Sequence, residues 1–312
     1  MPLFIALSGS LWRLKINQKQ KPTFKNLLQD KYNRLIIPFL LTSLLWSVPL
    51  KYISGYWQND TANVITDILI GQFLMLGNSN SHLWFLQALF WIFLFSHIIE
   101  QFQLRHSHPF IFIIALTILS IIGIYCGKNG ITILNISNAF LYLFWFYIGF
   151  YFEHFRSRFN LFITKKIKWW HIFLWLSIDI LGIILNKQLP NILHYITYFI
   201  FSINGMAIVY IICVKSIPYL SNKTRYLINK ISSNSYGLYL YSDPINYIII
   251  FIASSIFTSK IIFTNNTIVI FLYLLRFIVT TSIAFIVIRI LTIWKFTKQQ
   301  YSNKNIKNSH NK

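Results

Sequence analysis

Acidic residues are scarce in this chain. Seven Asp and Glu stand against 28 Lys and Arg, so the formal net charge is +21 over 312 residues. Charged residues of both signs make up 11% of the chain, whereas soluble globular domains carry roughly 25%. This deficit excludes an ordinary soluble protein, whose surface needs more charge than this chain supplies.

The residues that build several common sites are also few or poorly spaced. Cysteine occurs only at Cys126 and Cys213, which excludes a disulfide framework. The 11 glycines form no phosphate-binding loop, and no His or Cys pair has the spacing of metal ligands. The sequence also lacks the Ser-His-Asp spacing of a soluble hydrolase, and we expect no bound metal.

Apolar residues take the place of the missing charge. The chain is 55% hydrophobic and 18% aromatic, with a mean hydropathy of +0.55. Apolar runs of roughly 17 to 25 residues are long enough to cross a bilayer as helices. The runs of about this length are 35–53, 83–99, 109–126, 136–152, 171–186, 191–213, 236–256 and 268–294. The sequence therefore predicts an all-α, polytopic membrane helix bundle.

Basic residues occupy every second gap between these runs. They cluster in 13–34, 153–170, 214–235 and the tail from Lys295. Cytoplasmic loops accumulate Lys and Arg, so these gaps and the C-terminus are predicted to be cytoplasmic, in a plasma membrane or bacterial inner membrane. Charge scattered over short loops does not form the basic face that nucleic acid requires. We expect no nucleic-acid partner and expect anionic membrane lipid instead.

Three segments lie outside the predicted spans. Residues 1–12 are apolar but too short to cross the membrane, so they are predicted to form a partial span that runs inward. Residues 64–76, which include Asp67, are predicted to form an external interfacial or re-entrant helix. The Asn- and Lys-rich segment 295–312 predicts a disordered cytoplasmic tail, which leaves residues 1–294 as the membrane domain.

Four short motifs are distributed over most of the chain. They are residues 2–11 with the pair Ser8-Gly9, residues 31–38, residues 82–86 and residues 235–240. In this order and spacing they resemble the acyltransferase-3 family of integral membrane O-acyltransferases. The resemblance implies a bundle that has ten spans in its complete form, with both termini inside.

The resemblance also implies a reaction. Family members transfer an acyl group, commonly acetyl, from a cytoplasmic acyl-CoA to a hydroxyl of a carbohydrate assembled at or beyond the membrane. For this chain it implies acetyl-CoA as the first choice of donor and an envelope carbohydrate as acceptor. A non-catalytic bundle, or a transporter of a carbohydrate or lipid-linked intermediate, is the alternative, and turnover of the donor separates the two classes.

The chain departs from the family pattern at two places. Members carry a first span with an Arg and a His that is thought to be catalytic, before the segment similar to residues 2–11. This sequence does not contain that span, so we expect the chain by itself to have impaired activity. Many members also have a His after the fourth motif, residues 235–240, here called the late motif. At that place this chain has Tyr241, Ser242, Asp243 and Pro244.

Lys31 and Arg34 are candidates for binding the donor. Coenzyme A carries phosphates, which Lys and Arg recognise. The two residues lie about one helical turn apart at the predicted cytoplasmic start of span 35–53. They also fit a role as positive-inside anchors, and the sequence leaves both interpretations open.

His82 is the strongest candidate for the general base that an acceptor hydroxyl needs, because histidine is suited to that task near neutral pH. It lies at the predicted outer start of span 83–99, beside Trp84 and inside a family motif. Histidines flanked by aromatic residues also occur at membrane edges without a catalytic role, and that alternative stays open.

Asp179, Asp243 and Arg276 are ionisable residues inside predicted spans, where each is costly unless it is paired or faces water. At 1.5 Å per residue, Asp179 and Arg276 lie about 10 Å below the outer surface, and Asp243 lies deeper. We therefore predict that Asp179 is the partner of Arg276, in a structural or a catalytic pair. Asp243 followed by Pro244 predicts a helix break at a functional position.

Overall fold

The structure is a computed structural model that describes residues 1–18, 22–57, 61–66, 68, 82–102, 109–186, 191–256 and 266–309. All regular secondary structure in these ranges is helical, which confirms the predicted all-α class. The α-helices are α1 (Pro2–Gln18), α2 (Phe24–Lys31), α3 (Ile37–Thr42), α4 (Val48–Ile53), α5 (Thr61–Thr66), α6 (Trp84–Gln101), α7 (Pro109–Lys128), α8 (Ile136–Lys166), α9 (Trp169–Asn186), α10 (Asn191–Ser216), α11 (Asn222–Ile256) and α12 (Asn266–Ser309).

The eight predicted spans coincide with helices of the structure. Within the described ranges, six helical segments are long and apolar enough to cross a membrane, namely Phe24–Ile53, Trp84–Gln101, Phe110–Lys128, Ile133–Lys166, Phe199–Tyr219 and Val269–Thr292. The other two predicted spans fall in α9, which is a shorter apolar helix, and in α11, which carries the polar late motif. The chain is therefore a multi-pass helical membrane protein.

Several helix limits differ from the prediction. The helix that was expected to end near residue 12 continues to Gln18, past the basic residues Arg13 and Lys15. The expected helix break at Pro244 is wrong, because α11 runs through this residue without interruption. The backbone of the C-terminal segment is helical as far as Ser309, where the sequence predicted disorder. Most of segment 64–76 lies outside the described residues.

Two π-helical stretches interrupt the run from α2 to α4. They are Tyr32–Ile36 and Ser43–Ser47, and Pro38 and Pro49 follow them closely. Proline has no N–H to donate to the carbonyl four residues earlier, so each proline leaves one carbonyl without its helical donor. For Pro38 that carbonyl belongs to Arg34. The run therefore has carbonyl groups available for partners on other helices.

The chain divides into two compact units, and the first comprises Met1–Asp30, Ala88–Ile131 and Ile136–Arg225. In this unit α1 packs on α8 with their backbones in direct contact. A Cβ atom on Gly9 would lie 1.9 Å from the carbonyl oxygen of Phe146, and one on Gly149 would lie 1.8 Å from that of Ala6. This contact gives the Ser8-Gly9 motif a physical reason, because no larger residue fits at Gly9.

The second unit comprises Lys31–Gln87, Thr132–Asn135 and Tyr226–Lys312. Here α11 packs on α12 at Gly237, where a Cβ atom would lie 2.7 Å from the side chain of Ile288. The polar residues of the late motif lie along α11. All residues of the candidate site described next belong to this unit.

Candidate active site

The centre of the site is a contact between His82 and Asp243. His82 lies in the turn that precedes α6, and Asp243 lies within α11. The Nδ1 atom of His82 is 3.0 Å from Oδ2 of Asp243, and the His82 side chain is 12% exposed. A carboxylate at Nδ1 fixes the orientation of an imidazole ring and favours the tautomer whose proton lies on that nitrogen. The lone pair of the other nitrogen, Nε2, is then free to accept a proton.

The Nε2 atom of His82 is buried and has no hydrogen-bond partner among the described residues. Leaving a buried polar atom without a partner costs about 1–3 kcal/mol. An apolar side chain could fill the same space without this cost, so packing alone does not explain a histidine at this position. The arrangement fits a histidine whose second nitrogen is kept available for a ligand.

Asn246 and Arg276 extend the contact away from His82. Asn246 follows Asp243 by one turn of α11 and donates from Nδ2 to Oδ1 of Asp243 at 3.0 Å. Arg276 on α12 donates from Nε to Oδ1 of Asn246 at 2.6 Å. The four side chains thus form one continuous chain of hydrogen bonds, in which the positive charge of Arg276 offsets the negative charge of Asp243. Such compensation lowers the cost of placing both ions inside the membrane.

The structure corrects the predicted partner of Arg276. Arg276 bonds to Asn246, whereas Asp179 on α9 accepts a hydrogen bond from Asn204 of α10 at 3.4 Å. Asp179 belongs to the first compact unit and Arg276 to the second. Depth along the membrane normal was the only information that the sequence offered, and it does not determine which helices are neighbours. The structure thus joins His82, Asp243 and Arg276 in one cluster and gives Asp179 a separate partner.

Two tyrosines of the late motif donate hydrogen bonds to backbone carbonyl groups around the site. Tyr239, which lies one turn of α11 before Asp243, donates its hydroxyl to the carbonyl of His82. Tyr236 donates to the carbonyl of Arg34 at 2.7 Å, which is the carbonyl that Pro38 leaves without a helical donor. Trp46 donates from Nε1 to the carbonyl of Tyr241 at 3.0 Å, close to Pro244. The bond from Tyr236 thus supplies a donor to a carbonyl that a proline leaves without one, and the other two bonds attach α11 to the His82 turn and to Trp46.

Lys31 and Arg34 lie at the other end of this network. Lys31 is the last residue of α2, and Arg34 lies in the π-helical stretch with its side chain exposed. Single π-helical turns frequently occur at functional sites. Through the carbonyl of Arg34, residues 31–38, here called the basic motif, are attached to the same face of α11 that holds His82.

Lys51 is fully buried, although the sequence placed it at the outer end of its span. Its ammonium group lies 4.9 Å from the ring centre of Tyr56, 5.6 Å from that of Trp57 and 5.5 Å from that of Tyr247. Aromatic faces attract cations, most strongly where water is excluded. Tyr247 directly follows Asn246. The contact of Lys51 with the Tyr247 ring therefore also fixes α11 beside the chain of hydrogen bonds that begins at His82.

Two members of the site were missed by the sequence analysis. Asn246 is uncharged, so it does not stand out as an ionisable residue inside a span. Its spacing of three residues from Asp243 places both on one helix face, and this was the available signal. Tyr239 belongs to the late motif, but its bond to the His82 carbonyl depends on the packing of α11 and could not be read from the sequence.

A helical membrane protein with a paired His and Asp and a basic motif is suited to proton transfer within a bundle. A sequence model of the acyltransferase-3 family, described as an acyltransferase domain, matches residues 1–289. The chain belongs to this family and is a membrane acyltransferase. No curated protein and no solved structure matches the chain significantly.

Proposed function

We propose that this acyltransferase moves an acyl group, with acetyl as the first choice, from cytoplasmic acyl-CoA to a hydroxyl of an envelope carbohydrate, and that His82 is its general base. The observation that carries the proposal is the pairing of His82 Nδ1 with Asp243, while the buried Nε2 atom has no partner in the described part of the chain. This is the arrangement of a histidine prepared to take a proton from a hydroxyl.

The reaction balances with this one base. Nε2 of His82 accepts the hydroxyl proton as the acceptor oxygen attacks the thioester carbonyl carbon. A C–O bond forms and the C–S bond of the donor breaks. The imidazolium then returns the proton to the departing thiolate, which leaves as free coenzyme A. The products are the O-acylated carbohydrate and the thiol.

The charged form of His82 is stabilised by Asp243, Asn246 and Arg276. Asp243 lies against the ring nitrogen on the side opposite to Nε2, so its negative charge favours the imidazolium that forms during transfer. Asn246 donates a hydrogen bond to the second carboxylate oxygen of Asp243, and Arg276 donates one to Asn246. We assign Asp243 to orientation and charge stabilisation, and Asn246 and Arg276 to positioning of Asp243.

The distance between the basic motif and His82 suits a coenzyme A donor. Tyr236 contacts the Arg34 backbone and Asp243 contacts His82, and these two residues of α11 lie about 10 Å apart along the helix axis. The phosphopantetheine arm of coenzyme A is longer than this separation. A donor with its phosphates at Lys31 and Arg34 can therefore place its thioester near His82.

The test of the proposed function is donor turnover in sealed proteoliposomes. Acyl-CoA with a labelled acetyl group is supplied on the side that carries the C-terminus, and a carbohydrate acceptor on the other side. Release of free coenzyme A together with label in base-labile ester linkage supports the acyltransferase. Movement of intact carbohydrate without release of coenzyme A would instead identify the transporter.

Removal of the two basic residues should weaken donor binding. In Lys31→Ala with Arg34→Ala, we expect the Kd for coenzyme A to rise at least about 10-fold and its dependence on salt to flatten, because two phosphate contacts are lost. Isothermal titration at several salt concentrations measures both quantities. Lys165→Ala with Lys166→Ala removes the same charge from the end of α8 and serves as control. If both double variants bind like the unmodified protein, Lys31 and Arg34 act only as topology signals.

A further inference from the structure

An apolar groove in the first compact unit has not been assigned a role. It has a volume of about 320 Å³ and lies between α1, α8 and α10. Its walls include Leu7, Phe152, Phe159 and Met206, and its polar lining comprises Ser10, Arg156 and Tyr210. The volume is at the lower end of the range for small-molecule sites. The groove is therefore suited to a slender apolar group with a polar end.

Arg156 provides the charged end of the groove. Its Nε atom is 3.3 Å from Oε1 of Glu153, and the Arg156 side chain is 48% exposed. Glu153 is 5% exposed and also accepts a hydrogen bond from Ser10. In the described part of the chain, the two terminal guanidinium nitrogens have no protein acceptor. These nitrogens can form a bidentate pair with an oxyanion such as a phosphate.

The other polar residues of the groove already have partners. Tyr210 donates its hydroxyl to Oδ1 of Asn160 at 2.6 Å, and Ser10 donates to Glu153. Arg156 pairs with Glu153 through Nε, so its two terminal nitrogens are the lining donors that remain for a charged ligand, and the rest of the groove offers an apolar surface. Arg156 also lies in a basic segment, with Arg158 in the same helix, on the predicted cytoplasmic side.

We infer that the groove is a binding site for one anionic phospholipid, whose phosphate pairs with Arg156 and whose acyl chain lies between α1, α8 and α10. The charge at one end and the apolar walls along the remainder match the two parts of this ligand. Basic pockets between membrane helices on the cytoplasmic side bind anionic head groups in this way. The inference does not depend on the reaction proposed for the second unit.

The test measures thermal unfolding of the purified, delipidated full chain in detergent. We expect phosphatidylglycerol to raise Tm by about 3–8 °C more than phosphatidylcholine does. Arg156→Gln should abolish this difference, since Gln keeps a donor for Glu153 but has no charge. Arg158→Gln removes the same charge from the same helix outside the groove, and it should respond like the unmodified protein. Met206→Trp, which fills the groove, should also lose the response.

Three outcomes would overturn the inference. A response to phosphatidylglycerol that persists in Arg156→Gln and Met206→Trp would show that the lipid binds elsewhere. An equal, Arg156-dependent rise in Tm with inorganic phosphate would show that the apolar walls have no part in binding. A larger rise with palmitoyl-CoA than with phosphatidylglycerol would identify the groove as a site for the donor's acyl chain.

Discussion

His82→Ala is expected to lower kcat for acyl transfer by about 10²- to 10⁴-fold, which is the usual contribution of a general base. Affinity for coenzyme A should stay unchanged, because His82 lies away from the basic motif. Steady-state kinetics and isothermal titration with coenzyme A measure the two effects.

Two further variants separate catalysis from folding. Asp243→Asn keeps the shape of the side chain but removes its charge, so it should reduce kcat strongly. It also leaves the charge of Arg276 without compensation, so Tm should fall, and kcat is measured below the lowered Tm. His154→Ala removes an exposed histidine of α8 and should leave kinetics unaltered. If His82→Ala is folded and retains full kcat, His82 is not the base, and the contact with Asp243 is structural.

Gly149→Ala is expected to disrupt the first compact unit. The new Cβ atom would lie 1.8 Å from the backbone oxygen of Ala6, which cannot rotate away as a flexible side chain could. The helices α1 and α8 must then separate along their contact. Overpacking of this kind costs about 3 kcal/mol, which corresponds to a decrease in Tm of roughly 6–12 °C. Thermal unfolding of the purified protein in detergent measures the change.

Gly205 offers a matched control for this substitution. It lies within α10, and a Cβ atom there would meet nothing within 4 Å. Gly205→Ala should leave Tm unchanged or raise it slightly, because alanine favours helices by about 1 kcal/mol relative to glycine. Equal Tm values for Gly149→Ala and Gly205→Ala would show that α1 and α8 do not approach as closely as described.

The sequence was sufficient to predict the helices, because membrane spans follow from the length and composition of apolar runs. It also identified His82, Asp243 and Arg276, since ionisable or motif residues are conspicuous inside apolar segments. It could not assign their partners. Asp179 was chosen for Arg276 by depth alone, whereas lateral packing decides which helices meet, and the structure pairs Arg276 with Asn246. The roles of these residues in catalysis stay predictions.

The local backbone was less predictable than the spans. Pro244 was expected to break α11, but the helix continues, and Trp46 donates to the carbonyl of Tyr241 nearby. Conversely, the π-helical stretch Tyr32–Ile36 was not expected. At this stretch, the bond from Tyr236 to the Arg34 carbonyl joins residues that are distant in the sequence. No local pattern contains that information.

The π-helical stretches also affect how the run from α2 to α4 can bend. A regular α-helix behaves as a stiff rod, whereas π-turns and prolines are the usual positions of kinks. The stretches Tyr32–Ile36 and Ser43–Ser47 therefore act as two joints that divide the run into short rigid sections. Tyr236 holds the first joint at Arg34, and Trp46 within the second joint is tied to Tyr241. Because both joints are bonded to α11, tilting of this helix would move both of them.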